Sequence, residues 1–194
     1  MDRWNHNIHY HRLVLDSLPR QARTALDVGT GDGLLAAELR TRVPSVTGLD
    51  SDPSVLAIAR GQGADVTWVE GDVMTFPFSP ASFDMVASVA TIHHLPDLDR
   101  ALARLADLAA PGGVVAVVGL ARSSRPVDHI YDAIGVLQHQ YRRRSHGVWE
   151  HSAPTAEPSH TYAEVRRSAA RVLPGTRWRR LPLWRYMLTW RRPA

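Results

Sequence analysis

Gly29, Gly31 and Gly33 occupy alternate positions in the turn GTGDG (29–33), directly after the short apolar run TALDV (24–28). Glycines so placed let a ligand approach the backbone and let the chain turn from a strand into a helix. Asp50 closes a second apolar run, SVTGLD (45–50), and stands 21 residues after Gly29. An acid at that spacing is where a ribose is held in doubly wound folds, and a nicotinamide dinucleotide satisfies it almost as well. Two details argue against a dinucleotide. The pyrophosphate fingerprint GxGxxG is incomplete, because its sixth position is Leu34. Asp27 and Asp32 also flank the loop, and carboxylates there repel a pyrophosphate by several kcal/mol in a partly desolvated cleft. They suit a ligand bearing positive charge. S-adenosylmethionine has a ribose, an adenine, an ammonium and a sulfonium. Asp72, after a third run, adds an acid able to accept from adenine's exocyclic amine.

The elements that must position these residues alternate along the chain. Strands are predicted at 24–28, 45–50, 64–70, 83–90 and 114–119. Helices are predicted at 34–42, 53–61 and 97–109, the last with Leu98, Ala101, Leu102, Leu105 and Leu108 at helical spacing and broken by Pro111-Gly112-Gly113. Wholly apolar strands alternating with amphipathic helices give a parallel sheet covered on both faces, an α/β doubly wound architecture. The remaining third reads as a helix over 126–141 with Ile130, Ile134, Leu137 and Tyr141 on one face, a polar stretch, a helix over 162–173, and two closing strands around Pro182. Near the start, residues 6–18 read as a short amphipathic helix. Asp32 is expected to cap the helix that follows it, and Asp84 to sit structurally at a strand entry.

The 194 residues, 44% apolar and 22% charged, fit one globular domain. The absence of cysteine excludes disulfides, thiolate metal sites and a cysteine nucleophile. The longest apolar stretch (108–121) is short of the about 20 residues that a membrane span needs. MDRWNHNIHYH has no apolar core and so is no signal peptide, giving a cytoplasmic expectation. The net charge of +4 hides an asymmetry: residues 1–121 sum to −5 and residues 122–194 to +9. A basic tail can serve nucleic acid. Here the arginines of RWRRLPLWRYMLTWRR (177–192) alternate with apolar residues, as on the solvent side of strands.

LDVGTGDG (26–33), Asp50-Ser51, EGDV (70–73), FDMVASVATIHHLPD (83–97) and LAAPGGVVAVVG (108–119) resemble the successive motifs of class I S-adenosylmethionine-dependent methyltransferases, in order and spacing. The start WNHNIHYH, the segment WEHSAP (149–154) and the end LPLWRYMLTWRRP resemble small stand-alone bacterial members, so the likeness covers roughly the whole chain. Thr30 varies the more usual GCGxG or GxGxG. The resemblance implies a Rossmann-like seven-stranded sheet with the last strand antiparallel, in a single domain over 1–194. A lid helix would occupy 1–19, and a helical insertion at 120–175 would shape the acceptor pocket. It also implies that Gly29 and Gly31, in the loop with Asp27 and Thr30, contact the methionine part and Asp50 the ribose hydroxyls. Asp72 with Val73 would hold the adenine, with Ser51 beside it, and Val89 or Ala90 would offer backbone to the methionine end. Any one of these residues also has a plainer reading as a turn glycine or a helix cap.

Methyl transfer from a sulfonium is an in-line displacement with a neutral leaving group, so alignment and desolvation dominate. A base is needed only where the acceptor loses its proton early. Of the ten histidines, His94 is the expected catalytic residue, with loop ordering by hydrogen bonding as the competing role. Tyr10 and His11 are expected as lid contacts, and Tyr131, Trp149 and His151 as acceptor contacts. His6, His9 and His11 have metal-like spacing without an acidic partner, so no metal is expected. The expected acceptor is a small molecule, with no membrane partner. A nucleic-acid acceptor is disfavoured, because the place after the fourth strand reads ATIH (90–93) rather than an aromatic–polar tetrapeptide. A cofactor-binding partner protein without catalysis is the alternative of a different class.

Overall fold

The structure is a computed structural model, and it describes residues 4–95, 97–146, 149 and 157–194. Five parallel strands come first: β1 (Thr24–Val28), β2 (Ser45–Asp50), β3 (Thr67–Glu70), β4 (Phe83–Val89) and β5 (Ala109–Leu120). Three of the four connections between them carry a helix, α2 (Leu34–Arg40), α3 (Pro53–Arg60) and α4 (Leu98–Leu108), whereas β3 joins β4 through residues 71–82 without one. Ahead of β1 lie a 3-10 turn (Ile8–Tyr10) and α1 (His11–Leu15). After β5 come α5 (Pro126–His146), α6 (Tyr162–Val172), β6 (Arg177–Leu181) and β7 (Arg185–Arg191).

All seven strands form one sheet in the order β3-β2-β1-β4-β5-β7-β6. β7 runs antiparallel to both β5 and β6, so a hairpin rather than a helical crossover joins β6 to β7. Alternate side chains feed two cores. Leu26, Val86, Val115 and Val117 meet α4 and α6 through Leu102, Leu105, Val165 and Ala169. Ala25, Met85, Ala87 and Val118 meet the other layer, built from Val14 of α1 and Leu35 and Leu39 of α2.

Four elements differ from their sequence reading. The helix expected over 6–18 is reduced to the 3-10 turn and α1, because the Asn5 Oδ1 accepts from both Asn7 N and Ile8 N and sets a side-chain-capped turn. β3 begins at Thr67 rather than 64, after a turn closed by Val66 N donating to Ala64 O. β5 carries Pro111-Gly112-Gly113 inside its span, where the register to β4 shifts. There Gly112 N donates to Arg192 O and Arg192 N to Gly113 O.

The fourth is α5, which is longer than expected and turned inside out. Its apolar stripe of Ile130, Ile134, Leu137 and Tyr141 is exposed. The inner side is polar or small: Asp128 and Gly135 are buried there. The reason is electrostatic. The nearly buried Arg180 needs Asp132, whose Oδ1 accepts from its Nη2 at 3.0 Å. His139 Nδ1 meanwhile lies 2.9 Å from His6 Nε2. No described helix is long and apolar enough to cross a membrane.

Candidate functional site

The strand tips define the site. Parallel strands end together, and the crevice beyond their carboxyl ends is where doubly wound folds take ligands. A cleft of about 560 Å³ opens there, lined from β1, β2, β4 and β5, the loop after β3, the start of β7 and the N-terminal segment.

The turn after β1 is pinned by two hydrogen bonds, Gly29 N and Thr30 N both donating to Leu49 O at 2.8 and 3.0 Å. Gly29 has φ +69°, and a Cβ there would fall 2.1 Å from Thr91 Oγ1. That glycine is therefore required by packing as well as by backbone conformation. Gly31 differs. Its φ is +52°, yet nothing lies within 4 Å of a would-be Cβ, which opens onto free space at the cleft wall. Asp50 braces the same turn, its Oδ2 accepting from Gly31 N at 2.8 Å and its Oδ1 from Asp52 N at 3.0 Å. Ser51, beside it, is exposed at the cleft margin.

Asp27 is 2% exposed and accepts from the Thr30 hydroxyl at 2.7 Å. Burial pushes its carboxyl up to about 6, against which the Thr30 hydrogen bond works. Asp32 is also buried and lines the cleft, whereas the N-cap of α2 is Gly33, with no side-chain cap. The left-handed Gly33 makes the turn into α2, with Asp32 just before it at the cleft wall. Asp84 accepts from Arg23 N, Thr24 N and the Thr24 hydroxyl at the entry to the sheet.

Asp72 is exposed, with Oδ1 accepting from Met74 N at 2.9 Å, and Val73 behind it is buried. Val89 and Ala90 line the opposite wall. The Ala90 N–H is already donated to Val118 O, which leaves its carbonyl as the backbone group on offer. His93 and His94 sit on a 3-10 turn (Ile92–His94) at the cleft, their ring centroids 4.0 Å apart. His94 is the more exposed of the two.

Of the lid and acceptor residues, His11 and Trp149 line the cleft. His11 is buried with Nδ1 3.0 Å from Glu38 Oε1, and Trp149 N donates to Trp4 O at 2.8 Å. Tyr10 and Tyr131 are not among the cleft-lining residues. The Tyr10 hydroxyl donates to Pro182 O at 2.8 Å, and the Tyr131 ring lies under the Arg180 guanidinium, on the polar side of α5. His151 and the rest of WEHSAP beyond Trp149 lie outside the described residues. Among the described residues no histidine and carboxylate group is arranged for a metal.

Among the cleft residues that sequence reasoning missed are Asn5, Asn7 and Arg185. Arg185 was read with the solvated arginines of the tail, but it is only 7% exposed. The signal lay in strand direction. Because β7 runs back, its first residue pairs with Leu120, the last of β5, and so arrives at the carboxyl edge.

Residues 26–117 match the family model described as a methyltransferase domain. A Mycobacterium tuberculosis protein named uncharacterized methyltransferase Rv0089 is 41% identical over 194 residues, with 98% of each chain covered. The demethylmenaquinone methyltransferase of Thermus thermophilus is 34% identical over 119 residues, covering 58% of this chain and 54% of that protein. Among solved structures, the YcgJ protein of Bacillus subtilis superposes with a TM-score of 0.67 at 20% identity, over 89% of this chain and 71% of that one.

Proposed function

The chain belongs to the class I S-adenosylmethionine-dependent methyltransferases, and from that premise we propose that its cleft binds S-adenosylmethionine and delivers the methyl group to a small-molecule acceptor. The observation that carries the reading is the row of acids at successive strand tips, Asp27, Asp50 and Asp72, around the open side of Gly31. Asp50 would hold the ribose hydroxyls, Asp72 and Val73 the adenine with Ser51 beside it, and Gly29 and Gly31 the methionine chain. Asp27, fixed by Thr30, supplies negative potential where the ligand brings an ammonium and a sulfonium. The bound cofactor supplies an electrophilic methyl whose departure leaves a neutral thioether.

The residues present fit such a ligand. The donor set is acidic, unlike a pyrophosphate site, and Gly31 leaves the wall free where a side chain would intrude. Asn5, Asn7, Ile8 and His11 from the N-terminal segment, with Trp149 from the 120–175 insertion, cover the cleft and would exclude water from the transfer. His94 stands on the β4 side and would take the acceptor proton on an imidazole nitrogen. A small acceptor agrees with a cleft of about 560 Å³ that must hold both reactants. A relative matching 58% of the chain is named for a small acceptor, demethylmenaquinone.

The test is formation of S-adenosylhomocysteine from the purified protein with a panel of small metabolites, against RNA and DNA as alternative acceptors. Turnover with a metabolite and none with either polymer is expected; turnover with RNA alone overturns the acceptor class. With an acceptor in hand, His94→Ala should lower kcat by about 10²–10⁴ if it is the base, with S-adenosylhomocysteine affinity unchanged. A parallel loss of affinity would make His94 part of the cofactor's scaffold.

A further inference from the structure

The β6–β7 hairpin carries two buried arginines that are compensated in opposite ways. Arg180 has Asp132 Oδ1 3.0 Å from Nη2 and Asp128 Oδ1 4.0 Å from Nε, so its charge is met by two carboxylates although that Nε makes no hydrogen bond. Arg185, 7% exposed, has no carboxylate within 4 Å among the described residues. Its Nη2 donates to Asn7 Oδ1 at 2.8 Å and its Nη1 to Leu183 O at 3.3 Å, while the buried Nε has no partner. A desolvated cation met only by neutral oxygens is costly, and such groups are held where a ligand completes them. Burial lowers this guanidinium to about 10, so it stays charged at neutral pH. It also lines the cleft.

Strand order says which end of the cleft that is. From β3 the tips run Asp72, Asp50, the glycine turn, the histidine turn, Leu120 and then Arg185. β7 is three strands from β1, roughly 14 Å at about 4.8 Å per strand. The acids of the cofactor reading cluster on β1 to β3, and the histidines stand between them and Arg185.

We propose that Arg185, positioned by Asn7, binds a carboxylate of the methyl acceptor, so that the substrates of this enzyme are carboxylate-bearing small molecules. The proposal rests on the reading of the cleft given above. A carboxylate oxygen accepts from the partnerless Nε–H, a charge-assisted bond in a site shielded from water. A second source of the same chemistry is the cofactor's own carboxylate, and the experiment separates the two.

Protein saturated with S-adenosylhomocysteine is titrated with acetate, then with neutral acetamide, while the Arg185 Nε–H resonance, assigned through bonds, is followed by NMR. The expected result is a saturable shift with acetate at millimolar concentration and none with acetamide. Arg185→Lys should leave S-adenosylhomocysteine affinity within about threefold by calorimetry. The wild-type titration stands even if that variant fails to fold. No shift with acetate overturns the proposal. So does a fall in S-adenosylhomocysteine affinity on the order of tenfold in Arg185→Lys, which would give the arginine to the cofactor. If wild-type protein does not bind S-adenosylhomocysteine at all, the cofactor reading fails, and acetate titration of the unloaded protein still reads the anion site.

Discussion

Asp27 places function and stability in opposition at a single side chain. Its folded value near 6 lies above the unfolded 3.8, so the folded protein holds this proton more tightly. The cost of ionising it is absent below pH 3.8, grows as pH rises to about 6, and is fully present above that. Asp27→Asn should therefore raise stability at pH 7, by up to about 3 kcal/mol, and leave it unchanged near pH 3.5. Urea unfolding at the two pH values checks this. The same variant should weaken binding of a cationic ligand. Gly31 gives a complementary case. Gly31→Ala should cost about 1–2 kcal/mol of stability for its positive φ, and it should impair S-adenosylhomocysteine binding more than that strain implies, because the new methyl enters the cleft. Thermal unfolding beside calorimetry separates the two effects. Asp27, Gly31 and Asp50 were legible in the sequence because local spacing fixes them relative to one turn. Arg185 was not, because its place depends on which strand lies beside β5.

Helix α6 shows an element whose termini were written locally. Thr161 Oγ1 accepts from Glu164 N at 3.3 Å, and Glu164 Oε2 accepts from Thr161 N at 2.7 Å. This capping box starts the helix one residue after Thr161. Thr161→Ala should cost about 1 kcal/mol of stability, read by urea unfolding, with cofactor affinity unaltered because the box does not line the cleft. Helix α5 teaches the reverse lesson. Its apolar period was legible, but not the side that it would present to the fold. Periodicity finds a stripe; here the inner side is set by Arg180 and His6, two partners remote in sequence. Leu137→Gln should accordingly change stability by no more than about 0.5 kcal/mol, where a core leucine would cost several-fold more. A loss of that larger size would mean the stripe is buried in solution.

The whole molecule works by bringing residues of five parallel strands and one returning strand to a common edge. Alternating apolar strands and amphipathic helices were enough to read the parallel half and its ligand edge, since three of its four crossovers repeat one local pattern. The return of β7 beside β5 rather than at the sheet's rim is a packing outcome: Leu188 and Tyr186 join the α4–α6 core while Met187 joins the opposite one. That order lays the cleft out along the sheet, from the acids of β2 and the β3 loop, through the glycine and histidine turns, to Arg185. The acids of that first half favour a sulfonium over a pyrophosphate. Calorimetric titration with S-adenosylmethionine, and separately with NADH, tests it most directly. Saturable one-to-one binding of the sulfonium compound with no heat from NADH is predicted; binding of NADH, or of neither ligand, would contradict it.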